Sequence, residues 1–336
     1  MRQNWFIALL FTVALVAFLS IIMGAYLRLS DAGLSCPDFP GCYCQILPPD
    51  KETVAGSGAS YEVVNGWKAM AHRYVAALFT ILVVALVVAA ERMRSGARYA
   101  TQLRLALLLT LIQGGLGYAI LRLQLHPLAV SLHLLNAMLI LALLWSVFLN
   151  ARAVGAIYSE RLPEINMRPW SVIAFVLLCL QLLLGAFTSS NYASLACPDL
   201  PTCQQQWLHD LDIPGIYREL SQAQGSYKGG VLNTSQNITV HLLHRYGAAI
   251  TFLYLGVLSL LAMRKKAAVY RGAGLLLAIV LILQMQLGAA NILLLLPLPV
   301  ALAHPGGAAV LLLCIVYLHH LARRSKFSIY TARDKL

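Results

Sequence analysis

Charge is what this sequence has least of. Of its 336 residues only 11% are Asp, Glu, Lys or Arg, against 60% that are hydrophobic. A water-soluble chain of this length carries roughly 25% charged residues. The shortage excludes a large soluble domain and points to a polytopic membrane protein. Acids are the scarcer sign, 13 against 25 basic residues, and nine of the thirteen fall in two stretches, 28–67 and 191–237. The first apolar run lacks a clear small-residue cleavage site and is too long for a signal-peptide core, which argues for a retained helix. No apolar run is interrupted at mid-depth, which speaks against a transporter with a polar site at the membrane midplane.

What is present in quantity is long apolar sequence. Eight runs, at about 5–27, 68–90, 102–122, 127–150, 169–190, 238–263, 271–294 and 299–322, are long enough to cross a hydrocarbon layer of about 30 Å as helices rising 1.5 Å per residue. The net charge of +12 collects between these runs. Arg92, Arg94, Arg98 and Arg104 follow the second run, and Arg152, Arg161 and Arg168 the fourth. Arg264, Lys265, Lys266 and Arg271 follow the sixth, and Arg323, Arg324, Lys326, Arg333 and Lys335 the eighth. With Arg2 they lie on one side of the membrane, which the positive-inside rule makes cytoplasmic, with both termini inside. The basic balance therefore reports topology, and nucleic acid is not expected as a partner.

The stretches 28–67 and 191–237 then lie outside, and each contains a cysteine pair in the same setting: CPDFPGC at 36–42 and CPDLPTC at 197–203. This is an internal repeat. MGAYLRLS at 23–30 matches LGAFTSSN at 184–191, and QGGLG at 113–117 matches QMQLG at 284–288. An even number of spans per half gives both halves one orientation, so a pseudo-twofold axis is expected along the membrane normal. The expected fold is all-α: eight transmembrane helices as two pseudo-twofold-related four-helix bundles, residues 1–158 and 159–336.

Of nine histidines, four survive comparison of the halves. His72 in AHRYVAALFT falls on His244 in HLLHRYGAAI, and His133 falls on His304. Each is expected about a turn inside the external end of an even-numbered helix, so each half offers two imidazoles at similar depth. Opposed imidazoles in a four-helix bundle are the axial ligand set of a haem iron. Zinc is the weaker reading, because no carboxylate or thiol shares these helix faces. Arg73 and Arg245, next to the ligands, are candidates for the haem carboxylates, with Arg28 and Arg122 behind them. His241 is a candidate partner for His244 one turn away. His126, His209, His319 and His320 are read as structural, and Gln113 and Gln284 as hydrogen bonding between helices.

Cys36, Cys42, Cys197 and Cys203 lie on the oxidising side, where disulfides persist. Two readings stay open for them, a structural bridge and an electron-accepting pair near the haem edge. Cys44 is left over and stays open as a replacement for Cys42. Cys179 and Cys314, in apolar runs, read as packing residues, and the sequons at Asn233 and Asn237 as chance.

Eight spans in two halves, the repeated Cys pairs, the two His-Arg doublets and the later histidines together resemble the haem A synthase family over essentially the whole chain. The resemblance implies oxidation of a methyl group of haem O to a formyl group, with water supplying the oxygen, for terminal oxidase biogenesis. It also implies that His72 and His133 flank the substrate haem O while His244 and His304 ligate a haem b cofactor. A lipid-side entry would suit a farnesylated haem. Haem O synthase and terminal oxidase subunits are the implied partners, homo-oligomerisation is open, and the location is a bacterial inner membrane. One departure stands out. The family usually carries a glutamate three residues before the first histidine, where this chain has Ala69. Glu62, ten residues upstream, is the remaining acid that could fold back as a catalytic group. A non-catalytic bis-histidine membrane cytochrome, or a haem-handling assembly factor, is the alternative.

Overall fold

The computed structural model describes residues 2–50, 62–93, 96–152, 166–207, 209–223 and 225–333. The boundary expected at 158/159, with Arg94, Arg161 and Lys335, lies outside the described residues. Among the described residues are nine α-helices and no extended strand: α1 (Arg2–Leu29), α2 (Val63–Arg92), α3 (Ala100–Arg122), α4 (Pro127–Arg152), α5 (Met167–Ser190), α6 (Ile213–Gln222), α7 (Thr234–Met263), α8 (Ala268–Leu293) and α9 (Leu298–Arg333). All except α6 are long and apolar enough to cross a membrane, so the protein is a multi-pass membrane protein. In lipid each backbone N–H and C=O must be satisfied within the segment, which is why such runs fold as unbroken helices.

The helices pack in two closed circuits. α1 touches α2, α2 touches α3, α3 touches α4, and α4 returns to α1; α5, α7, α8 and α9 do the same. The circuits meet where α1 packs on α9 and α4 packs on both α5 and α9. Burial follows this order. α4 and α9 bury 50% of their most apolar window, whereas peripheral α3 buries 17% and turns Leu105, Leu108 and Leu111 outward. One apolar cluster runs through all eight long helices. It includes Leu10, Val83, Leu103, Leu141, Leu178, Leu255, Leu277 and Leu312. Between helices in lipid the attraction is mainly close packing rather than water exclusion, so a void is the damaging change. Leu141→Ala, at a 1% exposed position, should cost about 2–5 kcal/mol.

Local sequence sets the ends. Asn166 caps α5, accepting from the Arg168 N–H at 3.2 Å. Asn233 and Gln236 form a reciprocal capping box on α7, so this sequon asparagine has a structural task. α6 went unrecognised in the sequence because it is short and only partly apolar. Its start is nevertheless marked by Asp212, whose carboxylate accepts from the Gly215 N–H at 2.9 Å, and by Pro214 in its first turn.

The end of α3 turns through left-handed Gln124 and Leu125, and that of α8 through Leu295 and Leu296. Leu125 N–H reaches Ile120 C=O and Leu296 N–H reaches Asn291 C=O, satisfying carbonyls that the helix leaves free. The internal repeat is thus also written in the backbone. Left-handed residues recur at Asp31 and Tyr192, and at Tyr43–Cys44 and Gln204–Gln205.

Candidate functional site

Each of the four repeat-related histidines sits on the end of the molecule that carries the cysteine loops. His133 and His304 each lie six residues past the start of α4 and α9. α2 and α7 begin earlier than the apolar runs suggest, so His72 and His244 lie nine and ten residues inside them. That is nearly three turns rather than one. The polar first turns of these helices extend beyond the apolar core, and hydropathy alone does not count them.

Every one of these rings faces a glycine on the preceding helix of its circuit. A Cβ at Gly24 of α1 would lie 3.2 Å from Cε1 of His72, and one at Gly117 of α3 3.4 Å from Cε1 of His133. A Cβ at Gly185 of α5 would lie 2.9 Å from Cε1 of His244, and one at Gly288 of α8 3.2 Å from Cε1 of His304. At Gly24, Gly185 and Gly288 a side chain would press on the imidazole, so glycine is needed there for close approach, whereas at Gly117 a methyl group would make ordinary contact. They stand inside the repeated stretches MGAY/LGAF and GGLG/MQLG, which carried the signal without revealing its use. Within each half the two histidines stand on alternate helices of one circuit, His72 on α2 and His133 on α4, His244 on α7 and His304 on α9.

The two halves treat ring nitrogens differently. Nδ1 of His72 and of His133 is buried and makes no hydrogen bond. On the other side, Gln181 Nε2 lies 2.9 Å from His244 Nδ1 and donates to the His244 carbonyl at 3.0 Å. Gln284 Nε2 lies 3.3 Å from His304 Nδ1 and 3.5 Å from its Nε2, so it rests against the ring between the two nitrogens. Gln284 thus bonds between helices as expected, and so does Gln113, whose Oε1 accepts from Asn136 Nδ2 at 2.7 Å. Gln181 was missed: its counterpart in the first half is Ser20, so the repeat does not mark it.

The cysteines form the bridges Cys36–Cys42 and Cys197–Cys203, with Cα–Cα distances of 4.7 and 4.6 Å. Cys44 is a free, exposed thiol and does not replace Cys42. Asp38 and Asp199 shape the loops, each accepting from the two left-handed amides that close its turn: Tyr43 and Cys44, and Gln204 and Gln205. The Asp199 carboxyl is held down at about 2, first by the Thr202 hydroxyl and then by these amides. Both bridges are fully buried. The first packs on Ala69 and Met70 of α2, the second on Ile238 and Leu242 of α7.

Arg73 and Arg245 point into these loops. Arg73 donates to the carbonyls of Cys36 at 3.0 Å, Asp38 at 2.8 Å and Gly41, and its guanidinium lies over Phe39. Arg245 donates to the carbonyls of Cys197 at 2.6 Å and Thr202 at 2.7 Å. The residue after each histidine therefore fastens a disulfide loop over the histidine's helix. His241 is likewise turned to the loop: Nδ1 accepts from the Cys197 N–H at 3.2 Å and Nε2 lies 3.3 Å from Arg245 Nε. Its counterpart in the first half is Ala69, 2% exposed against Cys36 and Cys42.

Glu62 does not fold back. It stands exposed at the residue before α2 without a side-chain capping bond, its carboxylate accepting from Asn65 Nδ2 at 2.8 Å. Ten residues of helix, roughly 15 Å, separate it from His72. Arg28 instead clasps the two circuits. It pairs with Asp31 at 3.4 Å, donates to the Ser189 carbonyl, and stacks 4.0 Å from the Tyr192 ring. Tyr192 donates to Asp31 at 2.6 Å, and burial, followed by that bond, raises its phenol. Arg122 is exposed on the α3 end. His126 packs edge-on to Tyr227 of the second loop at 4.8 Å, and burial lowers its ring. His209 lies 2.7 Å from the Cys203 carbonyl and His319 2.9 Å from the Ser171 hydroxyl. These last three read as structural.

Among the described residues no three or more His, Cys, Asp or Glu side chains gather as a metal-binding group. An iron that brings its own four equatorial donors needs only two imidazoles. Paired rings at one end of a bundle, each with a glycine opposite and two with unpartnered buried Nδ1 atoms, fit that requirement.

Compared with known proteins, residues 7–316 match the COX15-CtaA family, described as cytochrome oxidase assembly protein. The chain is 36% identical over 330 residues to a protein of Shewanella oneidensis named heme A synthase, covering 95% of this chain and 96% of that one. It is 27% identical over 349 residues to the heme A synthase of Paracoccus denitrificans, covering 95% and 87%. To that of Rhizorhabdus wittichii it is 26% identical over 355 residues, covering 97% and 95%.

Proposed function

The chain belongs to the COX15-CtaA cytochrome oxidase assembly family, and we propose that it acts as a haem A synthase-type oxidoreductase. It oxidises a methyl group of haem O to a formyl group for terminal oxidase biogenesis. The observation that carries the reading is the set of four glycine-faced histidines in two pairs. The helices fall into two pseudo-twofold-related halves, residues 1–158 and 159–336. His72 and His133 hold the substrate haem O, and His244 and His304 hold haem b. When bound, haem b supplies a one-electron relay away from the substrate half.

The chain's own residues supply position and exclusion of water. Gly24 and Gly117 leave room beside the imidazoles of the substrate half. The loop closed by Cys36 and Cys42 covers that half, held by Arg73; the loop closed by Cys197 and Cys203 covers the other, held by Arg245. We read both arginines as positioning residues. No acid lies within a turn of His72 on α2, so the reaction proceeds here without the carboxylate usual at position 69, and Glu62 takes no part. The outward apolar faces of α3 and α8 suit a lipid-side approach for the substrate's prenyl tail. The cytoplasmic side is the one rich in Arg and Lys, and the location is a bacterial inner membrane. Haem O synthase and terminal oxidase subunits are the partners this role implies.

Pigment extraction and mass analysis of the purified protein, co-expressed with a haem O source, test the reading. Haem A or its hydroxylated precursor is the expected product. Haem B beside unaltered haem O would overturn catalysis and leave a bis-histidine membrane cytochrome.

A further inference from the structure

Resting on the assignment of haem b to the second half, we propose that Gln181 is a positioning residue for His244 and that it makes the second pair the site of the retained haem. Gln181 bonds at two points on one residue, the ring Nδ1 at 2.9 Å and the backbone carbonyl at 3.0 Å, so the amide and the ring plane fix each other. The space it occupies is opened by Gly247, one turn beyond His244, where a Cβ would collide with Gln181 Oε1. Gly307, one turn beyond His304, does the same for Gln284 Oε1.

The first half differs at each corresponding point. Ser20 stands for Gln181, Val75 for Gly247 and Asn136 for Gly307. Asn136 engages Gln113, the counterpart of Gln284, at 2.7 Å, and His133 Nδ1 has no side-chain partner, the Gln113 backbone being its polar neighbour. Divergence concentrated on the Nδ1 side of the rings is what two sites with opposite needs require. A ligating imidazole binds metal through one nitrogen, and a partner on the other nitrogen fixes its orientation and strengthens it as a ligand. An amide serves both protonation states of that second nitrogen, donating from Nε2 or accepting at Oε1. Oε1 of Gln181 is buried and without a partner; turning the terminal amide over offers it to a ring Nδ1–H in exchange for the bond to the His244 carbonyl. A pair lacking such partners holds its porphyrin less firmly, as a substrate site must in order to release product.

The test uses the full-length protein with His72→Ala and His133→Ala, expressed without a haem O source, so that pigment reports the second pair alone. Gln181→Leu should weaken haem b retention about 10- to 100-fold, read as the rate of haem transfer to an apo-acceptor protein, and raise the midpoint potential. Gln181→Glu, an anionic acceptor for the ring N–H, should retain haem and lower the potential. Gln113→Leu should move neither. Unchanged retention and potential in Gln181→Leu, or equal effects from Gln113→Leu, would overturn the proposal. A parent protein that purifies without haem b, or keeps its spectrum after His244→Ala, would instead overturn the underlying assignment.

Discussion

Gly185 stands directly against His244: a methyl group on its α-carbon would come within 2.9 Å of the ring Cε1. At Gly117 the same addition would meet His133 at 3.4 Å, an ordinary contact. Gly→Ala inside a helix favours the helix itself by about 1 kcal/mol, so both variants should fold. Gly185→Ala must displace the imidazole. Overpacking costs about 1–3 kcal/mol, or roughly 5- to 150-fold in haem affinity. Gly117→Ala should retain near-normal pigment. Haem titration of the two purified variants checks the contrast, and equal losses would sink it.

Arg73 and Arg245 should prove irreplaceable by lysine, since each donates to several loop carbonyls at once and a lysine ammonium lacks the planar fork. Removing hydrogen bonds from a charged group costs about 1.5–3 kcal/mol each. Arg245→Lys and Arg245→Ala should both loosen the loop and speed reduction of the Cys197–Cys203 bridge. Thiol alkylation after timed exposure to a mild reductant measures this; rates equal to wild type would contradict it.

The second loop should loosen in acid. The Asp199 carboxyl lies at about 2, below its ordinary 3.8. A group with a depressed pKa stabilises fully above its unfolded value, and that contribution disappears as pH falls through the folded value. Protection of the Gln204 and Gln205 amides from hydrogen exchange should therefore hold down to about pH 4 and decline toward pH 2. In Asp199→Asn protection should be weaker at every pH and flat across this range.

Cys44 is exposed and unbridged, whereas Cys179 is half-buried and Cys314 buried, both within long apolar helices. A membrane-impermeant maleimide applied to intact cells without reductant should label one site, and Cys44→Ser should abolish the label. Labelling only after the cytoplasmic face is opened would reverse the assigned orientation.

How much of this was legible in the sequence can be judged residue by residue. His72, His133, His244 and His304 were identified because the repeat keeps them in both halves, as it keeps the cysteine pairs. Gln181 was invisible for the complementary reason, since Ser20 replaces it. The loop contacts of Arg73 and Arg245 were not legible, because those partners are backbone carbonyls and carry no sequence signature.

The sequence by itself determined the eight spans, the two long loops and the ligand candidates. The physical reason is that lipid obliges each apolar run to satisfy its own backbone as a helix, which makes hydropathy nearly sufficient for topology. Only the tertiary structure decided which side chains meet across helices. That Gly185 admits the His244 ring, that Arg245 turns up into the Cys197–Cys203 loop, and that Glu62 stays out with Asn65 all depend on helix rotation and on loops folding over helix ends. Those are set by close packing between distant segments, and periodicity along one segment does not encode them.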